Sequence, residues 1–256
     1  MLLVSIHSIK GGVGKSTIAV SLAKVLASEG YHVFFKDKDV VGYASYLAGI
    51  LSPGLVTSLV DDMASDVIRD ITVGKGSITI LKYYGDGPRY QRDIEKIHSD
   101  KKLLNQLQRY IEQLLARKRY SLVIIDNPPA ITPNNEAEAC DAQIRALFPQ
   151  TATKYIIVSD GHARTIEDNI HYAKLISSQG FDILAFIINM VEPQSKFLYE
   201  SEIKNITAEL KCKIGVIIPF QEELFQFDEE IKDFPIPQQV KELAKKMDRD
   251  EMGIIA

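Results

Sequence analysis

The 256-residue chain has no tryptophan and only two cysteines, Cys140 and Cys212. The two lie far apart without a C-x-x-C spacing, which argues against a disulfide framework and against a cysteine-rich metal site. Reduced thiols of a cytosolic protein are the expectation. No run approaches the ~20 apolar residues that span a bilayer. The segment from Met1 to His7 lacks the basic flank and the length of a signal peptide, so a soluble, cytoplasmic protein is expected. Repeats, low-complexity tracts and Pro-, Gly- or Ser-rich linkers are missing too, and a single large domain over residues 1–256 follows as the expectation. Excess positive charge is also lacking. A net charge of -4 excludes a protein that coats nucleic acid through its overall charge, though not one with a local basic face.

What the chain does have is apolar material in short pieces. With 46% hydrophobic and 25% charged residues it can bury a full-sized core. β-branched runs at Leu2 to His7, His32 to Lys36, Ile78 to Lys82, Leu122 to Asp126, Tyr155 to Ser159, Ile183 to Ile188 and Ile214 to Ile218 alternate with helical segments. That pattern predicts an α/β fold, a predominantly parallel sheet of roughly seven strands with helices on both faces. Lys15 to Ser28 reads as a helix apolar around much of its circumference, with Gly30 where a C-terminal cap belongs. Ile94, Ile97, Leu104, Leu107, Ile111, Leu114 and Leu115 recur at helical spacing and predict one amphipathic helix whose charges face outward. Charge is unevenly spread. Arg89 to Arg119 holds nine Lys/Arg against four Asp/Glu, and Gln221 to Ala256 holds five against ten.

The densest chemistry lies at Ile9-Lys10-Gly11-Gly12-Val13-Gly14-Lys15-Ser16-Thr17. A strand, a glycine-rich turn and a helix starting at Lys15 converge several backbone N–H groups on one point, which is an anion trap. Gly11, Gly12 and Gly14 allow close approach to phosphate oxygens. Lys15 can reach the β- and γ-phosphates, and the Ser16 hydroxyl is suited to Mg²⁺. The segment therefore reads as a P-loop for ATP and Mg²⁺, with Gly11 to Thr17 as its nucleotide-binding residues. Val123-Ile124-Ile125-Asp126 is an apolar strand ending in a carboxylate, a Walker B signature that places Asp126 near the loop to hold Mg²⁺ through water.

Ile9 and Lys10 depart from the ordinary P-loop, and a second lysine before the Gly-Gly pair resembles the deviant Walker A ATPases, which include ParA, MinD, the Mrp-type proteins and the nitrogenase iron protein. By that resemblance Lys10 reaches across a homodimer formed with ATP and stabilises the transferred phosphoryl group on the partner. Lys36-Asp37-Lys38-Asp39 followed by Val40 to Ser45 looks like the family's first switch. Strand alternation points Asp37 and Asp39 to the same side. Asp39 is assigned to orient the attacking water and to join Ser16 and Asp126 around Mg²⁺, with Asp37 as the alternative. Lys10, Lys15 and Asp39 are thus the candidate catalytic residues. Asn127 stands where the family often has Thr, Ser or Cys. Asn189, Pro219 and Phe220, at the ends of two late strands, resemble adenine-contacting positions.

The family resemblance implies a slow ATPase that acts as a switch in partitioning or positioning of DNA or cellular complexes, triggered by a small activating partner protein. If the dimer binds DNA, the candidates by charge are Arg89, Arg92, Lys101, Lys102, Arg109, Arg117, Lys118 and Arg119. A membrane anchor is disfavoured, because the stripe Val240, Leu243, Ala244 and Met247 is followed by Asp248, Asp250 and Glu251. The alternatives are an Mrp-type iron-sulfur cluster carrier, for which Cys140 or Cys212 could pair across a two-fold axis, and another dimeric ATPase acting on a partner protein or small molecule.

Overall fold

A computed structural model of the chain describes residues 1–131, 142 and 144–256. Its centre is one sheet in the order β3-β4-β2-β5-β1-β6-β7-β8-β9. The strands are β1 (Leu2–His7), β2 (His32–Asp37), β3 (Ile68–Val73), β4 (Gly76–Lys82), β5 (Leu122–Asp126), β6 (Ala152–Asp160), β7 (Asp182–Val191), β8 (Ile214–Pro219) and β9 (Gly253–Ile255). All neighbours are parallel except β3 and β4, an antiparallel pair on one edge.

The expectation of seven strands is corrected to nine among the described residues, although all seven predicted strands form. The two additions are the edge strands. β3 carries Arg69, Asp70 and Thr72 among its apolar residues, and β9 has three residues, so neither shows the continuous apolar run of a strand buried on both faces.

Alternation along the inner strands divides the core between the faces. Val4, Ile6, Val33, Phe35, Ile124, Ile156 and Val158 belong to a cluster that also holds α1 (Lys15–Ser28) and α9 (Gln238–Arg249). Leu3, Phe34, Val123 and Ile125 face the other way, onto α4 (Arg89–Ser99) and α5 (Lys101–Ala116). Tyr155, Ile157, Phe186 and Ile188 continue that face onto α6 (Ala163–Ser178) and α7 (Lys196–Leu210). Helix α1 forms with the predicted bounds, and Gly30 takes φ 109° just beyond it. Val240, Leu243 and Ala244 are buried against the same cluster, so the C-terminal stripe is core packing.

The single helix expected over the basic segment is two. Asp100 interrupts it with an extended backbone and caps α5, its carboxylate accepting from Lys102 N at 2.8 Å. A local side-chain cap outcompetes the helical turn there. Nor do all the charges point outward. Asp93 is fully buried and receives Arg89 Nε at 2.7 Å and Thr57 Oγ1 at 2.9 Å.

Candidate functional site

The sequence-predicted residues gather along the carboxyl edge of the sheet, where ligands of open α/β folds bind. The loop carrying Lys10 to Gly14 leaves β1, Asp37 ends β2, Asp126 ends β5, Asp160 ends β6, Asn189 lies near the end of β7, and Pro219 ends β8. Register brings them level, with Asp37 beside Asp126 and Asp160 beside Asn189. Between them lies a cleft of about 470 Å³ whose lining includes Gly11, Gly12, Gly14, Lys15, Ser16, Thr17, Asp39, Asn189, Pro219 and Phe220.

The glycine loop ends in left-handed backbone, with φ 76° at Gly12 and 91° at Gly14. A Cβ on Gly14 would stand 2.2 Å from Asn189 Nδ2, so only glycine fits there. The Asn189 amide in turn donates to Val13 O at 3.0 Å and fixes the loop from the neighbouring strand. From below, Asn169 on α6 accepts from Ile9 N at 3.0 Å and Ser8 Oγ at 3.2 Å. Among the described residues, the backbone N–H groups of Gly11 to Thr17 donate to no backbone acceptor. They are free to bind an anion.

Lys15 is buried, with Nζ 3.5 Å from Lys10 O. Burial pulls its pKa below the usual lysine range, while Asp126 and Asp39 oppose the shift. Asp126 is fully buried, and neither carboxylate oxygen has a hydrogen-bond partner among the described residues. Desolvation, reinforced by Asp37 and Asp39, raises its pKa well above the carboxylate range, against the pull of Ser16 and Lys15. A buried, unpartnered carboxylate beside a hydroxyl suits a hard divalent cation, whose charge would reverse that shift. The residues present therefore fit Mg²⁺ with a nucleotide phosphate.

Asp37 and Asp39 take different environments. β2 ends at Asp37, so strand alternation does not carry on to Asp39. Asp37 is buried and accepts from Ser45 Oγ at 2.6 Å, Ser45 N at 2.8 Å and Asp39 N at 3.0 Å, which fastens α2 (Tyr43–Leu47) to the strand. Burial raises its pKa to about 6 against those hydrogen bonds. Asp39 lines the cleft, its Oδ2 accepting from Val41 N and Gly42 N at 3.1 and 3.0 Å.

Lys10 does not line the cleft. Its side chain, half exposed at 51%, lies with Nζ 2.9 Å from Asp160 Oδ2. Burial pushes the Asp160 carboxyl up, but the Lys10 ammonium, His162 N–H and Thr165 hydroxyl together hold it below the usual range. Asn127 turns to the opposite face of the sheet, its amide donating to Ser5 Oγ at 2.8 Å and Ile6 O at 3.1 Å. Cys212 is buried and its thiol pushed up to about 11 by desolvation, while Cys140 lies outside the described residues.

Several contributors escape a reading of motifs. Asp160 is a strand-end carboxylate before glycine, the same signal that marks Asp126. Asn169 is one polar residue on an otherwise ordinary helix. Val41 and Tyr43 complete the cleft wall from the segment that resembles the first switch, and Phe225 does so from a segment with no local signature.

The CobQ/CobB/MinD/ParA nucleotide binding domain profile matches residues 4–234. An uncharacterized ATP-binding protein of Methanocaldococcus jannaschii is 25% identical over 190 residues, 73% of this chain and 64% of that protein. An iron-sulfur cluster carrier protein of Pyrococcus horikoshii is 31% identical over 130 residues, 49% of this chain and 43% of that protein. The chain thus spans between 43% and 64% of the length of these relatives. The septum site-determining protein MinD of P. horikoshii, complexed with Mg-ADP, superposes with TM-score 0.63 at 20% identity, covering 97% of this chain and 96% of that one. A plasmid partition protein of Borrelia burgdorferi bound to AMPPNP gives 0.61 at 19%, covering 97% of each chain. At such identities the structural likeness is one of fold. None of the described helices is long and apolar enough to cross a membrane.

Proposed function

The chain belongs to the CobQ/CobB/MinD/ParA nucleotide-binding family, and from that premise we propose that it is a Mg²⁺-dependent ATPase, one domain over residues 1–256, that pairs with a second copy when ATP is bound. One observation carries the dimeric reading: the Lys10 ammonium sits on Asp160, outside a cleft lined by Lys15, Ser16 and Asp39. Half exposed and outside the cleft lining, the Lys10 ammonium is placed to meet the phosphates of a second copy once it leaves Asp160.

In this reading the N–H groups of Gly11 to Thr17 and the Lys15 ammonium hold the triphosphate, and Ser16 and Asp126 hold Mg²⁺. Mg²⁺ supplies charge neutralisation to the phosphates when bound. Asp39, fixed through Oδ2 by the amides of Val41 and Gly42, keeps its other oxygen for the water that attacks the γ-phosphate. Asn189, Pro219 and Phe220 meet the base. Lys10 of each copy leaves Asp160 and stabilises the charge transferred in the other copy's site.

The dimer then serves as a switch in partitioning or positioning, released when a small partner protein stimulates hydrolysis. The MinD and plasmid partition proteins that share the fold support this output. The similarity to an iron-sulfur cluster carrier favours a second reading, cluster delivery. It needs accessible thiols at the two-fold axis, and Cys212 is buried.

Light scattering after size exclusion tests the central claim. The wild type should shift from monomer to dimer with MgATP, and Lys15→Ala should stay monomeric. A wild type that remains monomeric with saturating MgATP would sink the dimeric switch.

A further inference from the structure

Phosphate chemistry accounts for one end of the cleft only. Its lining also carries exposed aromatic side chains. Phe225 is 76% exposed and Phe220 is 42% exposed, yet both border the same cleft as the glycine loop. Single exposed apolar side chains are ordinary. Two adjacent aromatic rings on the lining of one cavity offer a ligand an apolar surface. Phe220 follows β8, and Phe225 ends the single-turn helix α8 (Glu222–Phe225). Their ring centroids lie 6.0 Å apart with planes inclined at 52°, so the pair makes a tilted aromatic wall rather than a closed stack.

We infer that Phe225 is the stacking wall for the nucleobase, with Phe220 beside it. The inference rests on the ATP reading and goes beyond its Asn189, Pro219 and Phe220 base positions by naming Phe225 as what covers the ring. The occupant follows from continuity: the aromatic pair lines the same cleft as the Gly11 to Thr17 anion site, so a molecule with phosphates at one end and a flat ring at the other fills both. A purine offers every aromatic side chain a π-face whatever its edge substituents. Phe225 therefore contributes affinity for the base, while choice among bases is left to polar groups such as Asn189 and Gln221.

The test separates base from phosphate. Full-length wild type, Phe225→Ala and Phe225→Trp are titrated calorimetrically with MgATP and with magnesium tripolyphosphate, which has no base. Phe225→Ala should bind MgATP about tenfold more weakly and tripolyphosphate as the wild type does, and Phe225→Trp should return MgATP affinity to within about twofold. Unaltered MgATP affinity in Phe225→Ala would overturn the stacking role and leave the ATP reading standing. Equal loss of both ligands would overturn it as well, since Phe225 would then act on the loop. A wild type that binds neither ligand would bring down the ATP reading itself. Phe225 is exposed, so matching apo unfolding curves should accompany both variants.

Discussion

The ammonium of Lys10 and the carboxylate of Asp160 stand 2.9 Å apart, tying the third residue of the loop after β1 to the last residue of β6. The lysine is half exposed, so solvent screens the pair and it contributes less than about 1 kcal/mol to stability. Lys10→Ala should therefore leave denaturant unfolding nearly unchanged and MgATP affinity within about twofold, yet lower phosphate release at least about tenfold. Equal hydrolysis by the variant would remove Lys10 from the reaction.

Asp37 and Asp39 should separate cleanly by measurement. Asp37→Ala strands the Ser45 N–H and unfastens α2, so urea unfolding should report a loss of about 2–3 kcal/mol. Asp39→Ala removes only hydrogen bonds within an exposed turn. It should cost less than about 1 kcal/mol, bind MgATP, and fail to release phosphate. The opposite pattern would transfer the water-positioning role to Asp37.

Lys15→Ala should abolish the rise in melting temperature that MgATP gives the wild type, because the ammonium is the buried cation nearest the anion trap. Differential scanning fluorimetry reads this directly. A variant still stabilised by MgATP would place the phosphates elsewhere.

The Cys212 thiol should be inert in the native state. Its pKa is raised to about 11, so the folded protein disfavours the thiolate. For an acid whose pKa is raised by folding, the linked stability is intact below the unfolded value near 8.5 and declines as pH rises from there toward 11. Labelling by a disulfide reagent at pH 8 should be slow and become fast only with unfolding. Rapid labelling of Cys212 in native protein would restore the cluster-delivery reading.

DNA binding, if the dimer has it, should track the exposed cations alone. Arg89 pairs with Asp61 and Asp93, Arg92 with Asp93, and Lys118 with Asp70. Lys101, Lys102, Arg109, Arg117 and Arg119 are exposed. Lys101→Glu with Lys102→Glu and Arg109→Glu should abolish ATP-dependent retention of non-specific DNA and flatten its dependence on salt. Arg89→Glu should instead lower stability, because Asp93 is buried beside it. Wild-type retention by the triple variant would exclude the α5 surface.

The inner sheet was legible because strands buried on both faces must be continuously apolar, as Val123 to Ile125 and Phe186 to Ile188 are. Edge strands escape that demand, so β3 and β9 carried no such signal. Asp100 shows the limit of periodicity: the apolar stripe continues across the break because both helices dock on one core, and the break itself is a single capping side chain. At the site, the residues with chemistry in their type or spacing were found, among them Lys15, Asp126 and Asn189. Phe225 was not, since its place on the cleft comes from which loops meet there.

The bond from the Asn189 amide to Val13 O has an evolutionary consequence. In the proposed ATP reading the side chain that meets the base also braces the glycine loop, and it packs so closely on Gly14 that a Cβ there would stand 2.2 Å from its amide. Mutational paths toward a different base are therefore blocked at Asn189, where any gain in discrimination would loosen the loop. They remain open at Gln221 and Phe225, the residue that caps and the residue that ends the single-turn helix after β8. Drift in nucleotide preference among descendants of this sequence should accumulate in that helix first.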